Sequence, residues 1–379
     1  MKKFGDFVRG KAFEVLFFLL SLLSVFYVAD RMGKMSEYIF FKDCRLGVFV
    51  FLMLLMGYML VYTRSEGKKK SLLNFHVHEV CSFLMCFLLY LILFLWFCDG
   101  IRMILPLKGD WIYGIPVIAS VVVTIYGFFH AKKLYIKEYE VPLRNIASDK
   151  KVLLLSDVHA GTFVDSRQLK KIVSEVNRQQ ADMIFIAGDM FDVDTFDYCN
   201  RKKIAEILCQ MKPEGKIYAV LGNHDPSSSS DKIRQFYQEA RMILLEDEGV
   251  ELEDMVILGR DDVATNPCRI SLENLWRGFS KEKPVIVLDH NPLGILEAQS
   301  MGVDLILCGH THKGQFFPAN IFTKMAYGKR GYYGHFQMEN TQSVVSSGVG
   351  YFQMPMRVGS NSEIVVLHLR KSCWVEKGM

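Results

Sequence analysis

Two hydrophobic patterns divide this chain near residue 140. Before that point, apolar residues come in four long blocks, at 12–29, 46–62, 81–98 and 111–130. Each is close to the about 20 residues that a helix needs to cross roughly 30 Å of hydrocarbon. Glu14 is the one charge inside a block, near its end, and Pro116 is the one breaker, which membrane helices tolerate. No small-residue cleavage site follows the first block, so it reads as a span and not as a signal peptide. Residues 1–140 are therefore expected to form a membrane region of four helices. Behind it, apolar runs shrink to four to six residues and alternate with amphipathic stretches, the pattern of an α/β domain. Strands are expected at "KVLLLS" (151–156), "DMIFIAG" (182–188), "KIYAVLG" (216–222), "MVILGR" (255–260), "PVIVLD" (284–289) and "VDLILCG" (303–309). Helices are expected at 167–177 and 203–211.

Charge divides at the same place. Up to residue 140 there are 17 Lys/Arg against 11 Asp/Glu, and beyond it 28 against 30. The C-terminal part is close to neutral, so no basic footprint for nucleic acid is present there. Basic residues near the apolar blocks set orientation. Eleven lie at the N-terminus, after the second block and after the fourth, whereas six lie in the other two loops. Both termini and the C-terminal domain are accordingly expected on the cytoplasmic side of a plasma or inner membrane. The nine cysteines are scattered and form no CxxC pair, which suits isolated thiols better than a disulfide framework. "FHVH" (75–78) reads as polar loop at the membrane interface.

The chemistry lies where the short strands stop. The first predicted strand ends in Asp157 and His159, the second in "GDMFD" with Asp189 and Asp192, and the third in "GNHD" with Asn223, His224 and Asp225. Later runs end in "DHNP" with His290 and in "GHTH" with His310 and His312. Ligands of open α/β sheets bind beyond the carboxyl ends of the strands. Carboxylates, imidazoles and an amide carbonyl suit hard to borderline divalent cations, and the donors are too many for one ion. Gly188, Gly222 and Gly309 are expected to let the backbone turn tightly there. Asp192 reads as a supporting carboxylate. Asp261 and Asp262 are either near the site or part of a turn. Phe316 and Phe317 read as core positions, with an apolar substrate entrance as the alternative.

"DVH", "GDMFD", "GNHD", a His before Asn-Pro and "GHTH", in this order, resemble the five motifs of calcineurin-like metallophosphoesterases, and most of all their membrane-associated bacterial branch. The resemblance covers roughly residues 147–370 and places the catalytic domain at 147–372. It implies a two-sheet α/β sandwich flanked by helices. It also implies one metal held by Asp157, His159, Asp189 and His312, and a second held by Asp189, Asn223, His290 and His310. His224 then faces substrate as the proton donor, with Asp225 orienting it. Manganese is the expected metal, with Zn, Fe, Co or Mg as alternatives. Where that branch usually reads "GHTHGGQ", this chain has Lys313 in place of a glycine, which bears on loop shape or phosphate contacts.

The function expected is hydrolysis of a phosphodiester or pyrophosphate by a membrane-anchored enzyme. A tether favours a membrane lipid or a lipid-linked phosphate as substrate. The alternatives are a phosphodiesterase acting on a soluble nucleotide, or a non-enzymatic membrane sensor or scaffold.

Overall fold

The computed structural model describes residues 2–64, 72–105, 107–161, 163–192, 196, 199–226 and 230–371, with side chains left aside at 2–15, 17, 63–64 and 72–75. It divides into two units, Met1–Tyr126 and Gly127–Met379.

The first unit is helical: α1 (Lys2–Phe40), α2 (Arg45–Arg64), α3 (Leu72–Ile104) and most of α4 (Gly114–Ala131). Three stretches are long and apolar enough to cross a membrane: Arg45–Tyr62, His76–Ile104 and Asp110–Ala131. They correspond to three of the four expected spans. The other, 12–29, lies within α1, and its first side chains fall outside the described residues. His76 and His78 lie inside α3 rather than in a loop, and the His78 ring stacks on Tyr62 at 3.8 Å. At one end of these helices Asp99 accepts from Tyr27 Oη, Arg31 Nε and Tyr113 Oη, which neutralises a carboxylate set among apolar helices.

The second unit is a sandwich of two six-stranded sheets. One has the order β1-β12-β2-β3-β4-β5, from β1 (Leu134–Leu143), β12 (Ser362–Lys371), β2 (Lys150–Leu155), β3 (Met183–Ala187), β4 (Ile217–Val220) and β5 (Ile243–Leu244). The other has the order β10-β11-β9-β8-β7-β6, from β10 (Gly334–Met338), β11 (Thr341–Val345), β9 (Leu305–Cys308), β8 (Val285–Leu288), β7 (Val256–Gly259) and β6 (Glu248–Glu251). Strands β2 to β5 run parallel, as do β11, β9, β8 and β7. Burial on both faces explains their unbroken apolar runs. In β2, Val152 and Leu154 point between the sheets, towards Ile286, Leu305 and Leu307. Leu153 and Leu155 point outward to the helices α5 (Ser166–Arg178), α6 (Arg201–Leu208) and α7 (Asp231–Glu239). The far face of the second sheet is covered by α8 (Leu272–Trp276) and α9 (Ile295–Met301). A last helical segment, α10 (Ala319–Tyr332), broken at Gly328 (φ 66°), follows the "GHTH" motif.

The domain starts earlier than the motifs suggest. Strand β1 pairs in parallel with β12 along all ten residues, Leu134↔Ser362 to Leu143↔Lys371, so the sandwich takes in residues assigned to the membrane region from the sequence. Its positions are mostly intermediate or exposed, as expected of an edge strand, with only Val141 and Leu143 buried, and it therefore carries no strong apolar signature.

Candidate metal centre

All the motif residues meet at one end of the sandwich, where the parallel strands stop. The loops after β2 and β3 continue side by side: the amides of Asp157, His159 and Ala160 donate to the carbonyls of Gly188, Asp189 and Met190 at 3.0, 3.1 and 2.8 Å. Asp157, His159, Asp189, His310 and His312 all have positive φ, between 47° and 71°. That conformation costs a residue with a β-carbon roughly 1–2 kcal/mol, and such strain collects at functional sites. The three strand-end glycines are present for different reasons. Gly188, at φ 78°, uses its conformational freedom. Gly222 and Gly309 have ordinary φ but leave no room for a β-carbon, which would lie 2.1 Å from Asp189 Oδ1 and 2.4 Å from Asp157 Oδ2.

Two groups of donor atoms converge. In the first, His159 Nε2 faces His312 Nε2 at 3.0 Å, His312 Nε2 lies 3.4 Å from Asp157 Oδ1, and His159 Nε2 lies 3.7 Å from Asp189 Oδ2. In the second, His290 Nε2 lies 3.2 Å from Asp189 Oδ2 and 3.1 Å from Asn223 Oδ1, and His310 Nδ1 lies 2.8 Å from Asn223 Oδ1. His290 Nδ1 donates to the Ala187 carbonyl at 2.8 Å, so in the neutral ring the Nε2 lone pair points at two oxygens that also carry lone pairs. Such a set requires positive charge at its centre. The electrostatics agree. Burial alone would push the His290 imidazole down, yet Asp189 and Asp157 raise it well above its ordinary value. Burial would likewise raise the Asp189 carboxyl, but His290, His159 and His224 hold it below the carboxylate range. A divalent cation suits the same field. Burial pushes His159 down to about 3 and His310 down to about 4, and it lowers His312 well below normal. All three are therefore neutral near pH 7, the form in which imidazole binds metal.

Asp189 divides its carboxylate. Oδ1 accepts from the His224 amide at 2.9 Å, which leaves Oδ2 facing both groups of imidazoles. His224 lies at the edge, with Nε2 4.0 Å from Asp189 Oδ2 and its ring against Phe352 at 4.6 Å between centroids. Burial lowers its imidazole pKa as well. Asp225 does not orient that ring. Its carboxylate accepts from the amides of Met190, Phe191 and Gly222 at 3.2, 3.0 and 2.9 Å, tying the loops after β3 and β4 together. The assignment of Asp225 to His224 is thus corrected: backbone donors on three sides claim it. Asp192 stands 3.8 Å from His159 Nδ1. Asp262 caps a turn through the Ala264 amide at 2.7 Å, and it is also close enough to favour charge on His224 and His290. Lys313 sits at φ 52° and places its ammonium 4.3 Å from the Tyr333 ring centroid, so the loop keeps a left-handed turn without glycine.

Three contributors carry no motif. Tyr327 Oη, from α10, meets His310 Nε2 at 2.7 Å. Phe352 packs against the rings of His159, His224 and His312. Arg357, fully buried, donates to the carbonyls of His312, Ser347, Gly348 and Gly350, clamping the "GHTH" loop to the loop after β11. Phe317 is 46% exposed, against its reading as core.

The family model for calcineurin-like phosphoesterases matches residues 150–314. The chain is 27% identical over 377 residues to an uncharacterised metallophosphoesterase of Campylobacter jejuni, covering 94% of this chain and 97% of that protein. It is 32% identical over 242 residues to an uncharacterised metallophosphoesterase of Helicobacter pylori, covering 62% and 63%. It is 30% identical over 285 residues to a transmembrane protein with a metallophosphoesterase domain from Danio rerio, covering 68% and 62%. It thus spans nearly all of the first relative and somewhat less than two thirds of the other two.

Proposed function

Because its C-terminal domain belongs to the calcineurin-like metallophosphoesterases, which are metal-dependent phosphoester hydrolases, we propose that this chain is a membrane-anchored enzyme with two metals that cleaves a phosphodiester or pyrophosphate. The observation that carries the two-metal reading is the Asp189 carboxylate. One oxygen is fixed by an amide, and the other is shared between His159 and His290. Asp157, His159, Asp189 and His312 would hold one cation, and Asp189, Asn223, His290 and His310 the other. When bound, two divalent cations supply a hydroxide near neutral pH and neutralise charge on the phosphoryl group. The protein's own part is to position and to move protons. His224 donates a proton to the departing oxygen. Asp225 keeps the β3 and β4 loops at a fixed spacing, and Phe352 walls the histidine cluster against water. Manganese suits the N/O donor set. Three apolar helices of spanning length support a membrane setting, and that setting favours a lipid or lipid-linked phosphate as substrate.

Purified full-length protein should hydrolyse bis-p-nitrophenyl phosphate, lose activity on chelation and regain it with Mn²⁺. Asp189→Asn should abolish most turnover and deplete bound metal in elemental analysis. Full activity after prolonged dialysis against EDTA would sink the proposal. For the substrate class, a lipid extract should yield a released phosphorylated headgroup. Turnover of soluble nucleotide diesters alone would overturn that part.

A further inference from the structure

The part of the molecule least explained by the metal centre is the outer face of α10. Ile321, Phe322 and Met325 are 48%, 66% and 76% exposed and share one side of the helix. Phe317, at 46%, precedes them. The opposite side is fixed to the site, through Tyr327 to His310 and through Asn320, which packs against Gly314. Between residues 313 and 332 the chain has four basic residues and no acidic one. Lys324 is exposed on the same helical segment, and Lys329 and Arg330 are exposed just past the break in α10 at Gly328 (φ 66°). An apolar face bordered by cations is the composition of a helix that lies in the surface of an anionic bilayer.

The backbone places this face beside the point where the span in α4 ends. Gly127 lies four residues before the end of α4, about 6 Å along the helix. Its carbonyl accepts from the Arg357 amide at 3.0 Å, and a β-carbon on it would meet Val358 at 2.9 Å. The Val358 carbonyl in turn accepts from the Phe317 amide at 2.9 Å. At the end of α4, Ala131 accepts from Ser362 Oγ at 2.8 Å and His130 bonds Asn361 at 2.9 Å. The last turn of α4, from Gly127, therefore belongs to the same compact unit as the sandwich, and Phe317, just ahead of α10, is linked to it through Val358.

We propose that the face formed by Phe317, Ile321, Phe322 and Met325 docks into the bilayer surface where α4 leaves it, holding the metal centre at headgroup level. This rests on α4 being a membrane span. Lipid is favoured over a protein partner because the apolar face has cations around it and is linked, within one unit, to the last turn of the apolar helix α4.

Full-length protein in vesicles of phosphatidylethanolamine and phosphatidylglycerol, with benzoylphenylalanine introduced singly at four positions, tests it. Probes at Phe322 and Met325 should form phospholipid adducts on irradiation, to within severalfold of a probe at Leu54. That residue is 68% exposed in the apolar helix α2. A probe at Gln235, exposed on α7, should form none. Hydrolysis of bis-p-nitrophenyl phosphate by each variant verifies folding. Adducts to a second copy or another protein at 322 and 325, or no lipid adduct there while Leu54 is labelled, would overturn docking and leave the membrane reading intact. Equal labelling at Gln235 would also overturn it. Absence of labelling at Leu54 as well would remove the membrane reading, and docking with it.

Discussion

His224 and Tyr327 differ in how they serve the site. His224 stands outside both donor groups, with its amide on Asp189 Oδ1 and its partly exposed ring against Phe352. If it supplies the leaving group's proton, His224→Ala should keep both metals and lose about 10²–10⁴-fold in turnover of an alkyl phosphodiester. With p-nitrophenolate, which leaves without a proton, the loss should be much smaller. Equal losses would point to charge stabilisation instead. Tyr327 acts one step back. For His310 to present the Nδ1 lone pair to a cation, Nε2 must carry the proton, so Tyr327 Oη accepts it. Tyr327→Phe should weaken metal retention by about 10–100-fold in a chelator competition, since supporting partners of metal-bound histidines typically contribute that much. Unchanged retention would show that packing alone holds the ring. His224 was legible in "GNHD". Tyr327 was not, because fourteen residues of loop and helix separate it from His312 and nothing local ties its hydroxyl to His310.

At the scale of elements, the site is made by strand ends brought into register. Strands β2, β3 and β4 run parallel, so Asp157, Asp189 and Asn223 emerge side by side. Close approach of the loops then limits what the glycines can become. Gly222→Ala should displace Asp189, whose Oδ1 lies 2.1 Å from the new β-carbon, and abolish activity while the sandwich remains folded by circular dichroism. Gly302→Ala makes the complementary case. It caps α9 at φ 69° with open space around it, so the change should cost about 1 kcal/mol in denaturant titration and leave activity intact. Similar activity losses in both would mean that backbone freedom, and not space, matters at Gly222. The sequence marks Gly222 as a glycine at the end of an apolar run and does not mark Gly302. Which one needs freedom and which needs space depends on neighbours more than 30 residues away.

For the molecule as a whole, orientation is the open consequence. By the positive-inside bias, the excess of Lys/Arg at the N-terminus, after the second apolar block and after the fourth predicts a cytoplasmic phosphoesterase domain. A C-terminal green fluorescent reporter should be bright in cells, and a C-terminal alkaline phosphatase fusion should be inactive. The reverse pattern would show that Arg31, Lys34, Lys42 and Arg45 on the opposite side dominate. It would also put the phosphoesterase domain on the outer side of the membrane.

Composition and spacing showed the short strands and the candidate donor residues at their ends, and the resemblance to a family grouped those residues into a site. Buried parallel strands appear as short apolar runs, and metal ligands as polar residues where those runs stop. The same logic located the long apolar blocks, because length against bilayer thickness is a one-dimensional quantity. Only the tertiary structure decided the rest. It placed β1 in the sandwich through a partner more than 200 residues away, since an edge strand shows its membership in its pairing and not in its pattern. It assigned Asp225 to three backbone amides instead of His224, and it brought Arg357, Phe352 and Tyr327 to the histidines. Those roles depend on which groups lie within about 3–6 Å after folding, and no local period in the chain encodes that distance.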